Sequence, residues 1–422
     1  MTGKKRNANR GPTALKKYRG TGFEEFYADP PMTPAEAREE RENLYHPRIE
    51  SCIQRFRSRR RLGASDKLFN KYLFLGGIDS NQRMFGGQAD ADMEGLTPEE
   101  KRNATAIDTV YSSGGGSRFY NADEPEGWDV DFAGIVAGFC SENLPFMTAW
   151  DYAHMGKAVG LLENFLTYVL QHDVCPEYEG NIREAMELLT EAKVDLPLSH
   201  QALLQFPGQL NLAFSELFCG DDFNFFQGDV EIGFRRPVDF NPEVVLMIAA
   251  ATAGSRKQYE AVMEGITDKT IEIIKEQERA MEVVCVCRPD TETRKVVQSI
   301  RLEKGMQSGF APVGTVVLKP CVIEDGYDHG DMRVPSEQEE TFFLDDAILM
   351  RLRPGFKLQL SICELNIGIK FIKKAHRVLV AWHTYLPQNL MAHFKEPVAN
   401  ERPAPSAAIP QGSEGIAGSS FK

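Results

Sequence analysis

The residues best placed by type to do chemistry are His172 and Cys175, with Asp173 between them. A thiol beside an imidazole that a carboxylate orients is the usual arrangement of a cysteine nucleophile. Residues three positions apart share a helix face only if the helix reaches Cys175, and Pro176 disfavours helical geometry at the residue before it. The spacing therefore favours a helix C-terminus, with the histidine near the negative end of the helix dipole.

Two acidic stretches could offer oxygen ligands to a metal ion. Residues 90–94 hold three acids but lack the glycine and the terminal glutamate of a calcium loop. Residues 324–331 hold four acids and a histidine, among which Asp325, Asp328 and His329 could surround an ion. A solvated loop between strands has the same composition, so we expect no metal and no cofactor.

The short signatures of common enzyme classes are missing from the chain. There is no GxSxG, no HExxH, no GxGxxG after a strand and no HxE paired with PCxxC. The glycine-rich residues 112–117 lack the lysine of a phosphate-binding loop. We therefore expect no catalytic residues, and a hydrolase that uses His172, Cys175 or the acidic loop is kept as a less favoured alternative.

The elements that would position these residues are helical in the first half of the chain. Apolar residues recur at helical spacing within 155–170 and again within 182–192, where Pro197 is expected to end the second helix. The pattern of residues 243–281 also predicts mostly helix, and a long charged run lies near the end of that range. These patterns indicate an α-helical bundle in the first half.

Beyond Met281 the apolar pattern has a period of two. Short strands are predicted at 283–287, within 313–323, within 358–371 and at 378–382. The fold class is therefore α+β, with a helical N-terminal and central region followed by a mostly antiparallel sheet. The predicted organisation is a disordered basic arm (1–23), a mainly helical region (24–225) with a surface loop (76–131), a mixed α/β region (226–396) and a disordered tail (397–422).

The composition limits the class of protein and the cellular compartment that we expect. With 422 residues and 42% apolar content, the chain can form two ordinary domains. No stretch approaches the roughly 20 apolar residues of a membrane helix, and the N-terminus lacks the apolar core of a signal peptide. We expect no membrane association, a location in the nucleus and cytoplasm, and eight cysteines that are buried and reduced.

The net charge of −13 hides an asymmetry along the chain. Residues 1–61 contain 15 Lys and Arg against 8 Asp and Glu, an excess of +7, so the remainder carries −20. An acidic body binds nucleic acid poorly because phosphate neutralisation supplies most non-specific affinity. Any nucleic-acid contact is therefore expected in the arm, and the candidate residues are Lys4, Lys5, Arg6, Lys16 and Lys17. An autonomous RNA-binding protein that acts through residues 1–61 is one alternative, and a solvated tail or nuclear-import signal is another.

Two features next to the arm have the composition of a protein-binding segment. Three aromatic residues, Phe23, Phe26 and Tyr27, stand between the basic arm and a predicted helix start. A second predicted helix begins near Pro47 and ends in an arginine-rich stretch, residues 55–61. Those arginines either complement the helix dipole or form a patch for phosphate or an acidic partner.

Several segments together resemble the fungal Argonaute-binding subunit of the Argonaute siRNA chaperone complex, from about residue 11 to 404. The segments are RGTGFEEFYADPPMTPAE (19–36), KYLFLGG (71–77), DFAGIVAGFCSENLP (131–145), FLTYVLQHDVCPEYE (165–179), SICELNIGIKFI (361–372) and YLPQNLMAHFKEP (385–397).

The resemblance implies a non-catalytic role. Members of that family associate with Argonaute that holds duplex siRNA, together with a second chaperone subunit, and are linked to restraint of passenger-strand cleavage or release and to RNA-directed heterochromatin. The family offers no catalytic or metal residues. Exposed aromatic residues beside arginines are the usual components of an interface hot spot. The candidate partner-binding residues are therefore Phe23, Phe26, Tyr27, Arg55, Arg59, Arg60 and Arg61.

Overall fold

The computed structural model describes residues 45–58, 60, 62–78, 130–220, 233–304, 309–325, 338–386 and 389. The described residues up to Leu386 belong to one compact unit, and Asn389 is the described residue of a second unit, Pro387–Lys422. The domain boundaries predicted after residues 23, 225 and 396 fall outside the described residues and stay predictions.

Helices predominate before residue 272 and strands after it, which confirms the α+β class. The α-helices of the described residues are α1 (Tyr45–Ser58), α2 (Asp66–Leu75), α3 (Phe132–Gly138), α4 (Leu144–Met147), α5 (Tyr152–Gln171), α6 (Glu179–Gln205), α7 (Gly208–Phe218), α8 (Pro242–Ala253), α9 (Arg256–Asp268), α10 (Thr291–Lys304) and α11 (Asp346–Leu349). A π-helical turn, Phe139–Asn143, connects α3 to α4.

An aromatic core holds the N-terminal helices together. The Phe165 ring of α5 meets the Phe56 ring of α1 and the Phe69 ring of α2 edge-on, with centroid distances of 5.3 and 5.2 Å. Tyr72 and Tyr168 extend the same cluster. The apolar spacing predicted for α5 is confirmed, since its buried positions include Met155, Val159, Leu162, Leu166 and Val169.

Helix α6 runs through Pro197, so the prediction that this proline ends the helix is wrong. A proline inside a helix removes one backbone hydrogen bond and costs about 3 kcal/mol. Leu196 and Ser199 on either side are buried, and α6 packs against α3, α5 and the sheet. Burial along 27 residues outweighs the local cost of the proline.

The sheet has five antiparallel strands in the order β3-β2-β1-β4-β5. The strands are β1 (Ile273–Cys287), β2 (Val313–Pro320), β3 (Glu340–Asp345), β4 (Lys357–Leu365) and β5 (Lys370–Leu379). The helix predicted to continue to residue 281 is wrong at its end, because β1 begins at Ile273. The charged first half of β1 pairs with β4, and its apolar second half pairs with β2.

The sheet curls until its two edge strands approach each other. Glu340 of β3 accepts a hydrogen bond from Lys370 of β5 at 2.9 Å and also pairs with Arg279 of β1. Burial would raise the pKa of Glu340, but the two cations outweigh it and hold the pKa below its ordinary value. This three-residue cluster joins the two edge strands by ion pairing.

Helix α7 lies across the two edge strands and joins the helices to the sheet. The Asp345 carboxylate accepts the backbone N–H of Gln209 at 2.6 Å and that of Leu210 at 3.2 Å, in the first turn of α7. Asn211 accepts the backbone N–H of Ile372 at 2.9 Å. Burial raises the pKa of Asp345 to about 6, although the two N–H groups lower it. The two bonds to Asp345 satisfy backbone donors that the N-terminus of α7 leaves without an intrahelical partner.

The expectation that all eight cysteines are buried is only partly right. Cys52, Cys140, Cys175 and Cys363 are buried, and Cys219 and Cys321 are half-buried. Cys285 and Cys287 are exposed, and they follow the register shift between Val283 and Cys285 in the second half of β1. None of the helices in the described part of the chain is long and apolar enough to cross a membrane.

Replacing Glu340 with Gln should lower the free energy of unfolding by about 1.5–3 kcal/mol, because two charge-assisted hydrogen bonds are lost. The folded-state pKa lies below the ordinary value of 4.5. The stabilisation is therefore complete above that value and is lost as the pH falls through the folded-state pKa. Chemical denaturation of both proteins between pH 3 and pH 8 measures the difference.

The matched control is Glu292→Gln, which removes an exposed pair with Lys295. It should change stability by less than about 0.5 kcal/mol. A Glu340→Gln effect as small as that of the control, or one that does not change with pH, would show that the ion-pair cluster does not hold the sheet edges together.

Replacing Gly208 with Ala should destabilise the protein by about 2 kcal/mol or more, because its φ of +75° disfavours a side chain. An added Cβ would also lie 2.7 Å from an Asp345 carboxylate oxygen. Gly156→Ala in α5 is the control, since a Cβ there meets nothing within 4 Å. That change should stabilise by about 0.5–1 kcal/mol. Equal shifts of Tm in the two variants would contradict the role given to Gly208.

Candidate interaction surfaces

Most of the predicted partner-binding and nucleic-acid-binding residues lie outside the described residues and stay predictions. They are Lys4, Lys5, Arg6, Lys16, Lys17, Phe23, Phe26, Tyr27, Arg59 and Arg61. Two members of the predicted set, Arg55 and Arg60, are described, and they belong to the end of α1 and the residues just after it.

Arg60 does not lie on an exposed arginine face, and its contact with a partner stays a prediction. Its side chain is buried, and its guanidinium lies 4.3 Å from the ring centroid of Phe56 and 5.0 Å from that of Tyr168. Arg55 is half-buried and has interactions within the chain. A guanidinium group stacks favourably on aromatic rings, which explains how Arg60 can be buried against the aromatic core.

Arg57 is used in the same way as Arg60. It lies 5.3 Å from the centroid of Phe69 and hydrogen-bonds Asn70, with Asp66 at 3.8 Å. Burial lowers the pKa of Arg57, and the charge of Asp66 opposes that shift. The spacing of aromatic residues along α1, α2 and α5 is the signal in the sequence that could have indicated this role.

The exposed apolar surface that the sequence reasoning missed is the turn of residues 146–150, called here the Phe146 turn. Phe146 is 71% exposed and Met147 is 42% exposed. Phe, Met and Trp are enriched at protein–protein interfaces, and the exposure of large apolar side chains to water costs free energy. The mostly apolar run from Leu144 to Trp150 could have indicated an apolar segment, but nothing in it indicates that the segment is exposed.

The Phe146 turn is rigid and strained. Ala149 and Trp150 both have left-handed backbone angles, φ +49° and +61°, which are costly for residues other than glycine. The backbone N–H of Trp150 donates to Pro145 at 3.0 Å, and the hydroxyl of Thr148 donates to Leu144 at 2.8 Å. These bonds hold the backbone of the turn in one conformation before any partner binds, which lowers the entropy cost of binding.

The aromatic ring of Trp150 fixes the turn to the body of the protein. It stacks on His200 of α6 with centroids 4.1 Å apart and an interplanar angle of 9°. The Tyr152 hydroxyl lies 2.8 Å from His200 Nδ1. Burial lowers the pKa of His200, which favours the neutral ring at neutral pH. The surface is therefore apolar at its tip, and the ring of His200 against which it packs is neutral.

His172 and Cys175 do not form an activated nucleophile. His172 follows the last residue of α5, and its ring centroid lies 4.1 Å from that of Tyr168. Burial raises the pKa of Cys175 to about 12, and nearby Glu177 adds to the shift. The thiol is protonated at neutral pH and so lacks the thiolate that a nucleophile requires.

Within the described ranges, two histidine–carboxylate pairs occur that the sequence did not indicate. On the sheet, Ser361 Oγ and Glu278 Oε1 both approach the same atom of His376, Nε2, at 2.8 and 2.9 Å. A serine–histidine–acid relay requires the two different ring nitrogens. This geometry therefore does not activate the serine.

The second pair is buried. Glu142 Oε1 lies 2.5 Å from His383 Nε2 and accepts a hydrogen bond from Arg377 at 2.7 Å. Burial would raise the pKa of Glu142, but His383 and Arg377 hold it below its ordinary value. The His383 side chain has no solvent exposure, so no substrate reaches it. The cluster connects the π-helical turn to the chain after β5.

Potential metal ligands in the part of the chain that the structure describes lie apart from one another. No three His, Cys, Asp or Glu side chains in those ranges come together in a way that could hold a metal ion. Asp328 and His329 of the acidic loop lie outside the described residues. A cleft of about 610 Å³ opens beside the start of α7, but its polar side chains already have partners within the chain.

The comparisons with known proteins agree with one another. Residues 13–397 match the profile of a family described as Argonaute siRNA chaperone (ARC) complex subunit Arb1. Argonaute-binding protein 1 of Schizosaccharomyces pombe is 29% identical over 225 residues, which cover 51% of this chain and 53% of that protein. The match thus spans about half the length of that relative. No solved structure matches the chain.

These findings confirm the resemblance inferred from the unusual segments of the sequence. The family profile covers most of the chain, including all the described helices and strands. The chain therefore belongs to the Arb1 family of Argonaute siRNA chaperone complex subunits.

Proposed function

We propose that this chain is a non-catalytic, Argonaute-binding subunit of an Argonaute siRNA chaperone complex. The observation that carries the proposal is the family match over residues 13–397. The relative in fission yeast is named for binding Argonaute. The proposed partners are an Argonaute protein and a second chaperone subunit, with siRNA contacted indirectly through Argonaute.

The proposed activity is to bind Argonaute that is loaded with duplex siRNA and to restrain cleavage or release of the passenger strand. In the cell this activity supports RNAi-directed heterochromatin assembly, from both the nucleus and the cytoplasm. The charge distribution supports an indirect contact with RNA, because residues beyond position 61 carry a net charge of −20. Such a surface repels the phosphate backbone.

The Phe146 turn supports the proposal that the partner is a protein rather than a nucleic acid. Exposed aromatic residues could stack on nucleic-acid bases, but stacking sites for single strands lie in basic grooves. The charged residue that directly follows this turn is Asp151, whose carboxylate accepts two backbone N–H groups of α5. A rigid apolar tip beside a carboxylate fits an apolar pocket on a protein better than it fits RNA.

Purified full-length chain should capture Argonaute in a pull-down, with stronger capture when Argonaute carries duplex siRNA. Passenger-strand cleavage and release should slow when the chain is added. A parallel reaction includes the second chaperone subunit, to test whether Argonaute binding requires it. No capture in either reaction would refute the proposed function. Capture of free siRNA without Argonaute, lost on deletion of residues 1–61, would support the RNA-binding alternative.

The double substitution Phe146→Ser with Met147→Ser should weaken Argonaute binding by roughly 30-fold or more, which corresponds to the ~2 kcal/mol of a hot spot. Tm should stay unchanged, because both side chains are exposed. Val238→Ser is the matched control, since Val238 is 95% exposed and belongs to a different segment. Binding that is equal in the double variant, the control and the wild type would remove the Phe146 turn from the interface.

A further inference from the structure

Two cysteines from distant parts of the chain meet at the join between α7 and the sheet. Cys219 directly follows α7, where its backbone N–H donates to Ser215 at 3.0 Å, and it is half-buried. Cys363 lies on β4 and is fully buried. Cys219 packs against the hydrophobic cluster that contains Cys363, and the two thiols interact with each other. One residue of the pair is thus partly exposed, and the other is buried.

The surroundings of Cys219 favour its thiolate. The hydrogen bond with Cys363 lowers the pKa of Cys219 to about 7, against the effect of burial, and the nearby Lys373 ammonium adds to the lowering. Lys373 is held in place by Glu276 at 2.8 Å. The same hydrogen bond and burial raise the pKa of Cys363. The surroundings therefore favour the thiolate at Cys219 and the protonated thiol at Cys363.

Other cysteines lack this combination. Burial raises the pKa of Cys140 to about 12 and that of Cys321 to about 11. Cys285 and Cys287 are exposed neighbours, but desolvation and the adjacent Cys287 thiol raise the pKa of Cys285. A thiolate that is partly accessible and adjacent to a second thiol is the usual setting for reversible oxidation.

We propose that Cys219 and Cys363 form a redox-active dithiol site whose co-substrate is a small hydroperoxide such as hydrogen peroxide. The Cys219 thiolate attacks one peroxide oxygen, the O–O bond breaks, and the leaving hydroxide takes a proton to become water. Cys219 is now a sulfenic acid. The Cys363 sulfur then attacks the Cys219 sulfur, and the hydroxyl group leaves with the Cys363 proton as a second water. Two thiols and one peroxide give one disulfide and two waters.

The disulfide would fasten the end of α7 to β4. This end of α7 already packs on the sheet, because the Phe214 ring stacks on the Phe371 ring with centroids 5.1 Å apart. The crosslink therefore joins elements that are neighbours in the reduced protein. Oxidation is expected to raise Tm rather than to unfold the chain.

Full-length protein treated with limiting hydrogen peroxide at pH 7, then alkylated and digested without reduction, should yield a peptide pair joined through Cys219 and Cys363. Because the thiolate fraction at pH 7 is larger, Cys219 should react roughly tenfold faster than an ordinary cysteine. In Cys363→Ser, a sulfenic-acid probe such as dimedone should label Cys219. Dithiothreitol should reverse the link and the rise in Tm.

The control is the double variant Cys285→Ser with Cys287→Ser, which removes the exposed thiols and should leave the link and its rate unchanged. Cys219→Ser serves if Cys363→Ser does not fold, since position 219 is only half-buried. It should abolish the peroxide-dependent rise in Tm. The proposal is overturned if no Cys219–Cys363 peptide forms, or if Cys219 reacts no faster than Cys285 and Cys287.

Discussion

The placement of α7 across the two edges of the sheet is the constraint on which the rest of the described structure depends. Asp345, at the end of one edge strand, accepts the first N–H groups of the helix, and Asn211 accepts an N–H from the other edge strand. Between the same two edges, Glu340 pairs with Lys370. Helix α7 and this ion pair therefore hold the curl of the sheet, and α7 attaches the helical layer to it together with α6.

Local sequence patterns were sufficient to predict an element where its apolar repeat is regular. Helix α5 and strand β2 follow apolar repeats that continue through the whole element, and both were predictable. The first half of β1 was not, because its charged residues resemble a solvated helix. Its partners, such as Lys373 for Glu276, come from strands about a hundred residues further along the chain. Pro197 failed as a helix end for a related reason, since the packing that preserves α6 is tertiary.

The interaction surface was predictable only in part. An arginine-rich helix end beside aromatic residues has the same composition whether the guanidinium groups face a partner or an aromatic core. Only the positions of Phe56 and Tyr168 in space show that Arg60 is turned inward. The Phe146 turn shows the opposite case, because its exposure results from two left-handed residues that no local pattern predicts. Family membership was readable from the sequence because the unusual segments are long, although none of them encodes a mechanism.

We propose that the Phe146 turn contacts an Argonaute protein. A photo-reactive phenylalanine analogue in place of Met147 tests it directly, when the assembled complex is irradiated and the adduct is identified by mass spectrometry. The account predicts an adduct that contains one continuous patch of Argonaute peptides. An analogue at position 147 that captures no Argonaute, while the same group at Val238 does, would contradict it.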